Sequence, residues 1–239
     1  MTRTAVLVSG GGATLQALLD LCYFEEVPGL EIAAVISSVP GVYALERAAN
    51  AHVPAYVVER AMFPNSASFS NALLGKLRDL DIALVICAGF TERLSYGLLH
   101  AYRNRIINVQ PALFPAFCAE RFDPLRAVEE TLRRGVRVTG ATAYFMGEED
   151  NGFGPIIAQR AVEVLPEDTA ASLSDRIMRQ GEWPALVEAV RLFCADRLSV
   201  EGERVVIREA IQSFLTLMTW STPYVQGLTN WNLMSSNAF

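Results

Sequence analysis

At 239 residues the chain is long enough for one large domain with a buried core, or for a domain plus an appendage. With 51% hydrophobic and 19% charged residues it falls outside the disordered and fibrous classes, and no apolar run approaches the roughly 18 residues of a membrane span. The net charge of -6 provides no global field for nucleic acid or an anionic membrane, so an anionic ligand needs a local site.

In chain order, Thr4–Ser9 reads as a buried strand, followed by Gly10, Gly11 and Gly12 and by a helix from about Ala13. Leu15, Leu18, Leu19 and Cys22 give that helix its apolar face. Glu31–Ile36 is a second strand, Val42–Asn50 a second helix and Ala55–Val58 a short third strand. A helix over Ser68–Leu80 precedes Ile82–Cys87, the most continuous strand in the chain. A helix over Arg93–Tyr102 then leads into a strand at Arg105–Val109. After Pro115 the rhythm changes: a loop to about Asp123, a helix, then strands at Thr139–Met146 and Ile156–Val164. The spacing of Leu173, Ile177, Leu186, Val190 and Phe193 predicts one long helix over Thr169–Ala195, kinked at Pro184. Leu198–Ile207 reads as a hairpin turning at Glu201 and Gly202.

Repeated βα units with near-continuous strands predict an α/β fold: a doubly wound, mostly parallel sheet of Rossmann-like type, with antiparallel additions in the C-terminal half. One domain over residues 1–210 is the simplest organisation. The tail, 211–239, is apolar and rich in Trp, Met and Asn without a clear period; packing on the domain and contact within a homodimer are both open for it. Cys22, Cys87, Cys118 and Cys194 lie far apart with no signal peptide ahead of them, as reduced thiols of a cytoplasmic protein do. Lys76 is the single lysine, which disfavours Schiff-base and P-loop chemistry.

Four constellations, the last made of two segments, could carry chemistry. Val8-Ser9-Gly10-Gly11-Gly12-Ala13-Thr14-Leu15-Gln16 joins a buried strand to a helix start, where backbone N–H groups can approach a phosphate; a plain tight turn would use the same glycines. Cys87-Ala88-Gly89-Phe90-Thr91-Glu92-Arg93-Leu94 leaves the C-terminal end of the strongest strand. In Ile106-Ile107-Asn108-Val109-Gln110-Pro111-Ala112-Leu113-Phe114-Pro115 two prolines forbid continuation of a central strand, so Asn108 and Gln110 stand where open α/β sheets keep their ligands. Last come Gly140-Ala141-Thr142-Ala143-Tyr144-Phe145-Met146 and Asp150-Asn151-Gly152-Phe153-Gly154-Pro155-Ile156-Ile157-Ala158-Gln159.

Together these resemble the folate-dependent formyltransferases, over residues 4 to about 208 and in the family's order. The third segment is similar to Asn-x-His-Pro-Ser-Leu-x-Pro, with Gln110 at the His. The first resembles Ser-Gly-x-Gly-Ser/Thr-Asn-Leu-Gln of the family's glycinamide ribonucleotide transformylases, with Ala13 and Thr14 replacing a hydroxyl residue and an asparagine. The last pair resembles Gly-x-Thr-x-His-x-Val and Asp-x-Gly-Pro-Ile-Ile-x-Gln, with Tyr144 at the His.

The resemblance implies transfer of a formyl group from 10-formyltetrahydrofolate, as donor co-substrate, to 5-phosphoribosylglycinamide in purine synthesis, without a metal. It implies Asn108, Gln110 and Asp150 as the catalytic group, with Asn151 and Gly152 alternative occupants of the acid position. It also implies Gly10, Gly11, Gly12, Ala13, Thr14 and Glu182 at the ribonucleotide, and Gly89, Phe90, Glu92 and Leu94 at the folate. Loss of the imidazole leaves two readings from different classes: an enzyme whose Gln110 amide still donates to the oxyanion, or a paralogue that keeps scaffold and ligands without turnover. His52, before a strand, and His100, within a helix, read as structural. Deformylases and methionyl-tRNA formyltransferases of the family carry extra domains, and the length disfavours both.

Overall fold

The structure is a computed structural model and describes residues 1–116, 124–148 and 152–209. Residues Met1–Ile207 form one compact unit. Its centre is a seven-stranded sheet of β1 (Thr2–Val8), β2 (Leu30–Ser37), β3 (Ala55–Val57), β4 (Leu84–Cys87), β5 (Ile106–Gln110), β6 (Val138–Phe145) and β7 (Ile156–Glu163). The spatial order is β3-β2-β1-β4-β5-β6-β7. The first five strands run parallel, and β6 is antiparallel to both β5 and β7.

The near-continuous apolar strands have the expected cause, burial on both faces. Val6, Val8, Leu84, Ile86, Ile107 and Val109 pack with α1 (Ala13–Tyr23), α2 (Tyr43–Asn50), α6 (Ala170–Ile177) and α7 (Trp183–Cys194). Ala5, Leu7, Val85, Cys87 and Ile106 pack on the other face with α3 (Ser66–Asp79) and α4 (Tyr96–Ala101). An additional helix, α5 (Pro124–Arg133), precedes β6, and a hairpin of β8 (Leu198–Glu201) and β9 (Arg204–Ile207) follows α7. The period-two alternation of β5 therefore puts Asn108 and Gln110 on the α3/α4 face, beside Ile106.

Several elements differ from their sequence reading. β5 continues one residue further, through Gln110, and stops at Pro111, which has no N–H to offer the ladder. The fourth helix begins at Tyr96 rather than near Arg93, because residues 91–94 belong to the loop leaving β4. A 3₁₀ turn at Arg60–Met62 follows β3, where the sequence pattern carries no helical signal. The hairpin turns at Gly202 and Glu203, one residue later than expected. The long C-terminal helix is interrupted by a π-turn over Met178–Glu182, with Pro184 in the first turn of α7. Proline lacks the N–H for an i−4 bond and its ring displaces the carbonyl behind it, so a widened turn is the economical accommodation. Gly181 lets that turn approach the sheet: a Cβ there would lie 3.1 Å from Ala141 Cβ and 3.3 Å from Val162 Cγ2.

Asp150, Asn151, Cys118 and the tail 211–239 lie outside the described residues. Among those described, no helix is long and apolar enough to cross a membrane, and no group of three or more His, Cys, Asp and Glu could hold a metal ion.

Candidate functional site

The sheet reverses its winding between β1 and β4: from β1 the chain proceeds outward to β2 and β3, and it then returns to β4 on the other side. The crevice at the C-terminal ends of these two strands is where such sheets bind ligands. The Gly10–Gly12 turn leaves β1, and the Gly89–Leu94 segment leaves β4. Ser9 joins the two: its N–H donates to the Gly89 carbonyl at 3.2 Å and its Oγ accepts from Thr91 N–H at 3.1 Å. Asn108 and Gln110 end the next strand, so all three segments line one edge of the sheet.

The glycine turn is open. Gly11 and Ala13 are exposed, Gly10, Gly12 and Thr14 half-buried, and a Cβ at Gly10 or Gly11 would meet nothing within 4 Å. Gly12 is different. It caps α1 with φ +73°, and a Cβ there would fall 2.8 Å from Ala44 Cβ on α2. The N–H groups of Gly11, Gly12, Ala13 and Thr14 have no backbone acceptor among the described residues, and they surround the positive end of a three-turn helix.

In the β4 segment, Gly89 is exposed with φ +65°, and Phe90 lies parallel to Phe69 with ring centroids 6.4 Å apart. Leu94 is buried (4% exposed) in the core with α3 and α4, so its side chain anchors the segment. Glu92 faces Arg60, with Oε2 3.7 Å from Nε.

At the end of β5 the Asn108 side chain is oriented by chemistry. A backbone N–H can only donate, so the atom 2.9 Å from Val109 N is Oδ1. Nδ2 then donates to the Tyr144 hydroxyl, 3.0 Å away across the β5–β6 ladder. That contact uses one of the two amide hydrogens. Tyr144 is 2% exposed, with Phe114 (centroids 5.0 Å) and Phe153 (5.8 Å) against its ring. The Gln110 side chain is half-buried and has no hydrogen-bond partner among the described residues.

The loop after Gln110 is pinned from β6 and β7. Thr142 Oγ1 donates to the Ala112 carbonyl at 2.7 Å, accepts from Phe114 N–H at 3.1 Å and accepts from Gln159 Nε2 at 2.9 Å. The same Gln159 Nε2 donates to the Phe114 carbonyl at 3.1 Å. Thr142 and Gln159 fall within the matched motifs, but their function as loop anchors requires the register that sets Thr142 opposite both Gln110 and Gln159. The Asn108–Tyr144 contact depends on the same register.

Glu182 ends the π-turn, and α7, which begins at the next residue, packs on β5, β6 and β7. Burial pushes its carboxyl up to about 7. His52 is exposed in the left-handed region before β3. His100 stacks on Tyr96 and has Nδ1 3.3 Å from Glu148, so both histidines are accounted for away from Asn108. Gly152, one alternative for the acid position, is a turn residue with φ +71° whose carbonyl accepts from Gly147 N–H at 3.0 Å.

Comparison with known proteins gives a consistent result. Residues 2–190 match the formyl transferase family. A phosphoribosylglycinamide formyltransferase of Bacillus subtilis (strain 168) is 32% identical over 190 residues, covering 79% of this chain and 94% of that protein. A trifunctional purine biosynthetic protein adenosine-3 of Homo sapiens is 36% identical over 175 residues, 73% of this chain, which spans 17% of that longer protein. Among solved structures, glycinamide ribonucleotide transformylase 1 from Symbiobacterium toebii superimposes with a TM-score of 0.80 at 40% identity, covering 87% of this chain and 95% of that one.

Proposed function

Because the chain belongs to the formyl transferase family, we propose that it transfers the formyl group of 10-formyltetrahydrofolate to the amine of glycinamide ribonucleotide, in purine biosynthesis. One observation carries the reading: the glycine turn, the Gly89–Leu94 segment and the Asn108–Gln110 strand end line one edge of the sheet at its switch point. Relatives matched over nearly their whole length bear the name of this activity.

The substrate amine attacks the formyl carbon, and a tetrahedral oxyanion forms and collapses with loss of the folate nitrogen. The remaining hydrogen of Asn108 Nδ2 and the Gln110 amide donate to the oxyanion. The Tyr144 and Val109 contacts hold the Asn108 amide so that this hydrogen needs no reorganisation. Gln110 keeps the donor function of the family's histidine without its proton exchange, and Asp150 receives the proton lost by the amine and returns it to the departing folate nitrogen. Gly10–Thr14 cradle the ribonucleotide phosphate, Glu182 accepts from its amine end, and the main chain of Gly89, Phe90, Glu92 and Leu94 holds the pterin. Small molecules are the partners, in the cytoplasm, a compartment that suits the free thiols of Cys22, Cys87 and Cys194.

Asn108→Ala tests the assignment. Removal of one oxyanion donor typically lowers kcat by about 10²–10³. A variant that transfers formyl at the parent rate would remove Asn108 from the site and the reading with it.

A further inference from the structure

The second helix does more than pack against the sheet. Two of its groups grip the glycine turn by its carbonyls. Ala44 N–H donates to the Gly10 carbonyl at 3.3 Å, and Arg47 Nε donates to the Gly11 carbonyl at 2.9 Å. In a trans peptide the carbonyl and the following N–H point in opposite directions. Fixing the Gly10 and Gly11 carbonyls toward α2 therefore turns the N–H groups of Gly11 and Gly12 away from it, to the side of the first free N–H groups of α1. The result is a concave set of donors, the arrangement that binds anions. Gly12 is what lets α2 come this close, since its missing Cβ would strike Ala44.

Arg47 is itself held in this pose. Its Nη1 donates to Gln16 Oε1 at 2.8 Å, and the guanidinium carbon stands 4.8 Å over the Tyr43 ring. It forms no ion pair with a described residue, and Asp20, the carboxylate its hydrogen-bond chain leads to, is reached only through Gln16. The side-chain donors that the family places at the positions of Ala13 and Thr14 are missing or altered here, which leaves backbone orientation as the main source of phosphate affinity.

We infer that Arg47 is a positioning residue for the phosphate site: it orients the Gly11–Gly12 peptide toward a phosphomonoester and adds a positive charge behind it. The inference rests on reading Gly10–Thr14 as the phosphate cradle. The test uses the full chain and three probes measured by calorimetry: glycinamide ribonucleotide, its dephosphorylated riboside and a folate. Arg47→Met keeps the stem of the side chain, and Arg47→Lys keeps the charge without the Nε contact. Both variants should bind the ribonucleotide at least about tenfold more weakly than the parent, and the KM for ribonucleotide should rise to match. Affinities for the riboside and the folate should stay at parent values.

Equal losses for all three probes would mark Arg47 as a general structural residue and overturn the inference, as would full affinity in Arg47→Lys. A parent that binds riboside and ribonucleotide equally would also overturn it, because no phosphate site would then exist. A parent that binds the ribonucleotide through Arg47 without transferring formyl would sustain the inference and remove the proposed reaction; transfer that is indifferent to Arg47 would do the reverse.

Discussion

At Glu182 the sequence, the local backbone and the chemistry meet in one side chain. Pro184 stands in the first turn of α7, the π-turn before it ends at Glu182, and burial pushes that carboxyl up to about 7. A carboxyl raised in the folded state stabilises the fold fully below the ordinary carboxylate range, and that contribution is lost as pH rises through the folded value. Stability of the free protein should therefore decline from the carboxylate range to about pH 7. If Glu182 meets the ribonucleotide's amine as proposed, that amine prefers the ionised carboxylate, and affinity should rise over the same window, up to the amine's own titration at about 7.7–8.0. Glu182→Gln should abolish both slopes. Thermal unfolding of the free protein and ribonucleotide titrations across that pH range would check this, and an unchanged affinity slope in the variant would separate Glu182 from the substrate.

Among the elements, the strand end that carries Asn108 and Gln110 is held by its antiparallel neighbours rather than by its own loop. Thr142 uses its one donor and two acceptor sites on Ala112, Phe114 and Gln159. Thr142→Val keeps the shape and deletes these bonds from a position with no exposed surface. Leaving a buried polar group without its partner costs about 1–3 kcal/mol, which for a domain of this size lowers Tm by about 2–4 °C per kcal/mol. Formyl transfer should fall with it, because the loop that follows Gln110 loses its anchor. Calorimetric unfolding together with the transfer rate would show both effects; a variant equal to the parent in both would place the anchoring elsewhere. β6 and β7 are thus an integral part of the site, although the parallel βα repeat ends before them.

Over the whole molecule, the elements of the first hundred residues were legible because their strands are buried on both faces and read as apolar runs, as Leu84–Cys87 does. The ends of β1, β4 and β5 were legible too, since glycines and prolines stop strands for steric reasons visible in any sequence. What could not be read were contacts whose partners are far apart in the chain. Asn108 meets Tyr144, Arg47 meets Gly11 and Gln159 meets Phe114 only through sheet register and helix placement. The widened turn at Met178–Glu182 was hidden for another reason: Pro184 announces an interruption without specifying its form.

In the proposed formyl transfer, two amides take the place of imidazole. This is tested most directly by the pH profile of kcat for the unmodified chain, with both substrates saturating, beside Gln110→His. The parent should give formylated ribonucleotide, with kcat rising once as the substrate amine loses its proton and with Glu182 already satisfied by that amine. Gln110→His should be faster and show a further limb near about 6.5, where imidazole titrates. No product from the parent with both substrates supplied, or an imidazole limb in the parent that disappears on replacing His52 or His100, would contradict it.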